Sequence, residues 1–145
     1  MINRIFYIIL IFLISCGGSA NTYAPAIDPD PEEQHYIVTK EGQKVKSYGW
    51  LYDPDEIDHA LIETAECMGV QEYSTDIFIT LKEPYAAFPC VPLPDGCGGL
   101  FELNSRVTVS ADLVRLQHEY VHYFLYSENG DPDASHESDY FETCS

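Results

Sequence analysis

The chain has 145 residues, 46% hydrophobic and 13% aromatic, which is enough for one folded domain and argues against a disordered polymer. Seven Lys and Arg stand against 24 Asp and Glu, a net charge of −17. That excess repels phosphate backbones and argues against nucleic-acid binding, while favouring solubility.

Residues 1–15 carry a positive start at Arg4, an apolar run over 5–14 and the small residues that follow it. The run is too short to span a bilayer and has the form of a secretory h-region. Leu13-Ile14-Ser15-Cys16 resembles a bacterial lipobox. The resemblance implies cleavage before Cys16, lipidation of Cys16 and attachment to the cell envelope, at an outer membrane or the cell surface. Residues 16–35 read as a tether, with prolines at 25, 29 and 31 and the acidic run Asp28-Pro29-Asp30-Pro31-Glu32-Glu33. The folded domain is expected over 36–145.

Four cysteines remain in the exported part: Cys67, Cys90, Cys97 and Cys144. An even number in an oxidising compartment reads as two disulfides with three connectivities. Cys90–Cys97 is the simplest local bridge and leaves Cys67–Cys144. No C-x-x-C pair is present, which argues against a structural zinc site.

Within the domain, residues 36–52 alternate around Glu41-Gly42 and predict a β-hairpin. Asp53-Pro54-Asp55-Glu56 is a helix start, and Ile57, Ala60, Leu61, Thr64, Ala65 and Met68 recur at helical spacing up to Gly69. Residues 76–81 predict a strand, 82–99 a Pro- and Gly-rich loop, and 100–109 contain a second strand, clearest at 106–109. Ser110 reads as the cap of a helix over 111–127, stopped by Asn129-Gly130-Asp131-Pro132. A last short helix is expected within 133–141. The expected class is α+β, a single domain with a small, mostly antiparallel sheet packed on the helix of residues 111–127.

That helix contains His118-Glu119-Tyr120-Val121-His122, an H-E-x-x-H motif. Histidines four apart lie on one helix face and can bind one Zn²⁺. Glu119, one position round the helix, can act as general base without being a ligand. The motif arises by chance in about one of seventy chains of this composition. A catalytic zinc wants a third protein ligand, and His136 is the first candidate. Glu128, Asp131, Asp133 and Glu137 are alternatives. His35 falls in the tether and His59 on an exposed helix position, which disfavours both. Asp131 or Asp133 could accept the second N–H of a ligand histidine. Tyr123, Tyr126 or Tyr140 could stabilise a transition state, Tyr140 first among them. The strand at 106–109 could hold extended peptide along a sheet edge.

The motif followed by a turn and His136-Glu137-Ser138-Asp139-Tyr140 resembles the minimal zincins of the SprT-like type and zinc-peptidase-like bacterial lipoproteins. The likeness covers residues 111 to 144. It implies a zincin-like domain, Zn²⁺ held by His118, His122 and His136, and peptide hydrolysis with Glu119 as base. The export signal and cysteines depart from SprT-like proteins, which are intracellular, and argue against a DNA-linked role. The expected entity is a monomeric, lipid-anchored metalloendopeptidase acting on peptide or protein. The alternatives are a metal- or partner-binding surface lipoprotein without turnover, a structural lipoprotein, and an amidase of cell-wall cross-links.

Overall fold

A computed structural model describes residues 34–48, 53–84, 86–90, 93 and 95–145. The leader, Cys16 and nearly all of the tether lie outside the described residues. No helix among the described residues is long and apolar enough to cross a membrane.

The chain runs β1 (Gln34–Val38), β2 (Lys44–Tyr48), α1 (Pro54–Met68), β3 (Phe78–Lys82), β4 (Gly99–Glu102), β5 (Arg106–Ser110), α2 (Leu113–Asn129) and α3 (Tyr140–Thr143). The five strands form one sheet in the order β1-β2-β3-β5-β4. The outer pairs, β1 with β2 and β4 with β5, are antiparallel hairpins. The central pairs, β2 with β3 and β3 with β5, are parallel, so the mostly antiparallel sheet expected from the sequence has a parallel centre. Helix α1 is the connection that returns the chain for a parallel β2–β3 pair, as such pairs require. Gln34 and His35, assigned from the sequence to the tether, belong to β1.

Helix α1 begins where its residues dictate. The Asp53 carboxylate accepts from the Asp55 N–H, Pro54 opens the first turn, and Gly69 ends the helix at φ 75°. Its buried stripe of Ile57, Ala60, Leu61, Ala65 and Met68 meets Val45, Ile79, Leu81, Val107 and Val109 from one sheet face. Helix α2 adds Leu116, Tyr120, Val121 and Phe124 to the same core. Each large side chain so buried contributes ~1.5–3 kcal/mol.

Three local expectations are corrected. The cap of α2 is Asp112, whose carboxylate accepts from the Val114 N–H. Ser110 instead ends β5, and its hydroxyl donates to the Ala86 carbonyl. The strand expected within residues 100–109 is β5, but a further strand, β4, precedes it, because Ser105 at φ 59° turns the chain between the two. The terminal helix occupies only Tyr140–Thr143, because the Asp133 carboxylate holds the preceding residues in a turn.

A buried polar network fixes α2 against the β1–β2 turn. Tyr120 donates to Gln43 Oε1, and Gln43 Nε2 donates to Asp58 at 2.9 Å. Asp58 also accepts from the Glu41 N–H at 3.1 Å. Buried polar groups cost free energy unless paired in this way. Tyr120 lies between the motif histidines, so the network sets the depth and rotation of the motif helix.

Both disulfides expected from the sequence are formed. Cys67–Cys144 joins the end of α1 to the end of α3, and Cys90–Cys97 closes the loop before β4. Phe88 and Cys97 form an antiparallel bridge inside that loop.

Candidate metal centre

His118 and His122 stand one turn apart on α2, with ring centroids 5.1 Å apart. Gly130, at φ 78°, ends α2 and lets the chain fold back along it. The return loop then presents His136 to the same point. Among the described residues, His118, His122 and His136 form the one metal-ligating cluster, with their nitrogens within 4.8 Å of one another. Glu128, Asp131, Asp133 and Glu137 are not part of it.

The loop that brings His136 in is held by Asp133. Its carboxylate accepts from the N–H groups of Glu137 and Ser138 at 3.1 and 2.7 Å and from the Ser135 hydroxyl at 3.2 Å. Those bonds hold the Asp133 carboxyl below its ordinary range. The Asp133 carbonyl accepts from the His136 N–H at 3.0 Å. Asp133 and His136 both have positive φ, 51° and 58°, a backbone cost that these bonds offset.

His122 Nδ1 lies 2.6 Å from the Pro132 carbonyl oxygen. An oxygen of that kind only accepts, so Nδ1 carries the proton and Nε2 presents its lone pair. The acceptor is thus a backbone carbonyl, not the side chain of Asp131 or Asp133. Asp131 instead accepts from the Asp133 N–H at 2.9 Å.

His136 Nε2 lies 3.1 Å from Nε2 of both His118 and His122. With His122 Nε2 unprotonated, two good linear hydrogen bonds cannot satisfy all three nitrogens at once. A cation between them satisfies all three. Nitrogen ligands at ~2.0–2.1 Å in tetrahedral array stand roughly 3.3 Å apart, close to the observed spacing. Burial, then the neighbouring His122 and His136, pushes the His118 imidazole down to about 4. Burial likewise lowers His122. Both effects favour the neutral, ligating form. The donor set therefore fits a bound metal cation.

Glu119 is 4% exposed, and burial pushes its carboxyl up to about 8. It lies against Gly99 at the start of β4. A Cβ on Gly99 would sit 2.1 Å from Glu119 Oε1, and one on Gly98 would sit 2.6 Å from the Arg115 guanidinium. The glycine pair lets α2 approach β4 closely enough to bring Glu119 beside the histidines. Neither glycine belongs to a recognisable motif, although a doublet after Cys97 is a signal of close backbone approach.

A cleft of about 270 Å³ opens on the triad and Glu119, bordered by Gly99, Leu100 and Phe101 of β4 and by Pro132 and Ala134 of the return loop. β4 is the terminal strand of the sheet. The strand at 106–109, expected at an edge, is β5, which sits inside the sheet between β3 and β4. Edge and cleft therefore meet at β4.

Tyr140 does not line the cleft. Phe141 does the packing, its ring centroid 5.0, 4.6 and 4.6 Å from those of His118, His122 and His136. Tyr123 is buried and donates to the Ser74 carbonyl at 2.6 Å, a structural role. Tyr126 packs on Phe101. His59 is exposed and pairs with Glu63 on α1, far in sequence from the triad.

No protein-family model matches the chain, and comparison with curated proteins and with solved structures returned no match.

Proposed function

We infer that the chain is a zinc-dependent metallopeptidase of the zincin type. The observation that carries this is the convergence of three imidazole nitrogens on one point, with a buried carboxylate on the next position of the same helix. A zinc ion bound there supplies Lewis acidity to polarise a scissile carbonyl and to acidify water. The residues of the chain do the rest. Glu119 takes a proton from the attacking water and returns it to the leaving amine. Its raised proton affinity brings it near neutrality, where both transfers are feasible. The terminal strand β4 offers main-chain groups to an extended peptide, laid beside the cleft by β-addition. Phe141 shields one side of the imidazoles.

The two disulfides support folding in an oxidising compartment, in keeping with export and lipidation at Cys16. Metabolic labelling with a radioactive fatty acid, lost in Cys16→Ser, tests the anchor.

The function is tested by metal analysis and a peptide library on the same preparation. One zinc per chain, lost in His122→Ala, together with peptide cleavage lost in Glu119→Gln, supports the reading. Zinc with no cleavage of any peptide leaves a metal-binding lipoprotein without turnover. Absence of zinc after loading and dialysis overturns the metal site itself.

A further inference from the structure

The sheet face turned away from the helices carries a feature that the metal site does not use. Four of the chain's seven Lys and Arg line one groove of about 710 Å³: Lys44, Lys46, Lys82 and Arg106. Among the described residues, Glu102 is the only acidic one that lines it. Strand register builds the arrangement. Val38, Lys44, Phe78, Arg106 and Glu102 form one row across all five strands. Tyr36 and Lys46 begin the next row, followed by Thr80 and Thr108.

The cations are held among aromatic rings. Lys46 lies 5.4 Å from the Tyr36 ring centroid and 4.8 Å from that of Tyr48, and Lys82 lies 4.6 Å from the same Tyr48 ring. Lys44 is already paired with Asp76 at 2.6 Å. Among the described residues, Lys46, Lys82 and Arg106 have no carboxylate within ion-pair distance. Tyr36, Val38 and Phe78 remain 68%, 67% and 50% exposed around them. An exposed apolar patch interleaved with unpaired cations marks an interaction surface.

We propose that this groove binds an extended acidic polypeptide segment. The proposal is independent of the peptidase reading, because the groove lies on the opposite sheet face from α1 and α2. Complementary charge selects the ligand's sign. Size selects its class. Five strands at ~4.8 Å spacing give a face roughly 20 Å wide, the length of about six extended residues. Such a segment puts alternate side chains ~7 Å apart on the groove side, in reach of cations on β2, β3 and β5. A nucleic acid or an anionic bilayer extends well beyond the groove and meets the acidic remainder of the chain. A short segment meets the local cations within a Debye length of ~8–10 Å. The groove is concave, where a bilayer needs a flat or protruding face. The aromatic ring faces already hold lysine ammoniums, which leaves them poor platforms for stacking sugars.

The test uses the full chain and a labelled hexapeptide with three glutamates at alternate positions, followed by fluorescence anisotropy. Binding that weakens with salt, is absent for the glutamine counterpart and falls at least tenfold in the triple variant Lys46→Gln, Lys82→Gln, Arg106→Gln supports the proposal. Lys40→Gln, away from the groove, leaves it unchanged. Should the triple variant fail to fold, acylation footprinting of the unmodified protein reads the same contact. Peptide then slows labelling of Lys46 and Lys82 but not Lys40. Equal affinity for the glutamine peptide, unprotected Lys46 and Lys82, or preference for phosphatidylglycerol vesicles or single-stranded DNA overturns the proposal.

Discussion

The Nδ1–H of His122 donates to the carbonyl oxygen of Pro132 at 2.6 Å, tying the motif helix to the loop that delivers the third histidine. That loop keeps its shape through the Asp133 carboxylate and its three bonds to Ser135, Glu137 and Ser138. Asp133→Ala removes all three without deleting any of the histidines. Outer bonds of this kind are typically worth ~10–100-fold in metal affinity. Zinc affinity, measured by competition with a chromophoric chelator, is expected to fall within that range. Unchanged affinity would show that the loop stands without Asp133.

The contact between Gly99 and Glu119 gives a second prediction. A Cβ at position 99 meets Glu119 Oε1 at 2.1 Å, so Gly99→Ala displaces either the carboxylate or β4. The expected outcome is loss of peptide cleavage by about 100-fold or more with zinc retained, since displaced general bases typically cost ~10²–10⁴. The thermal stability lost in Gly99→Ala is expected to return when Glu119→Ala removes the obstructing group. A double-mutant cycle on Tm checks the coupling, and additive effects would place the strain elsewhere.

Local rules carried some elements whole and failed on others. Helix α1 was legible from Asp53, Pro54 and Gly69 because its signals act within one turn. Ser110 looked like a cap for α2 because capping chemistry is the same wherever a serine stands, yet pairing with β3 holds it in β5. The parallel centre of the sheet was not legible, because partners in a sheet are chosen by distant chain segments. His118, His122 and His136 were legible as chemistry. Their support was not. The sequence pointed to the side chains of Asp131 and Asp133 as histidine acceptors, whereas a carbonyl, which every residue has, fills that role at Pro132.

The pH dependence of the zinc-stripped protein follows from two opposite shifts. Glu119 is raised from 4.5 to about 8 in the fold, so its share of stability is present below 4.5 and lost as pH rises through 8. His118 is lowered from 6.5 to about 4, so its share is present above 6.5 and lost as pH falls through 4. Between 4.5 and 6.5 the Glu119 and His118 slopes oppose one another, the lowered His122 adds to the loss on the acid side, and Tm is expected to peak toward 6.5 and to decline on both sides. Glu119→Gln abolishes the alkaline limb and is expected to be more stable than the parent at pH 9. A Tm series by circular dichroism from pH 3.5 to 9 checks this, and an alkaline decline retained in Glu119→Gln would assign it to another group.

The disulfide between Cys67 and Cys144 supplies the last prediction. The 77-residue separation it closes restricts the unfolded chain far more than the 7-residue separation of Cys90–Cys97. On the chain-entropy account the long bridge is worth about 4.5 kcal/mol and the short one about 2.4 kcal/mol. The long bridge also anchors the terminal turn that lays Phe141 against all three imidazoles. Cys67→Ser with Cys144→Ser is therefore expected to lower Tm more than Cys90→Ser with Cys97→Ser. It is also expected to weaken zinc about tenfold by releasing that ring from the histidines. Phe141→Ala in the intact disulfide background separates the two effects. It should reproduce the loss of zinc affinity with a smaller loss of Tm. Full zinc affinity in both variants would mean that the loop around Asp133 alone positions His136.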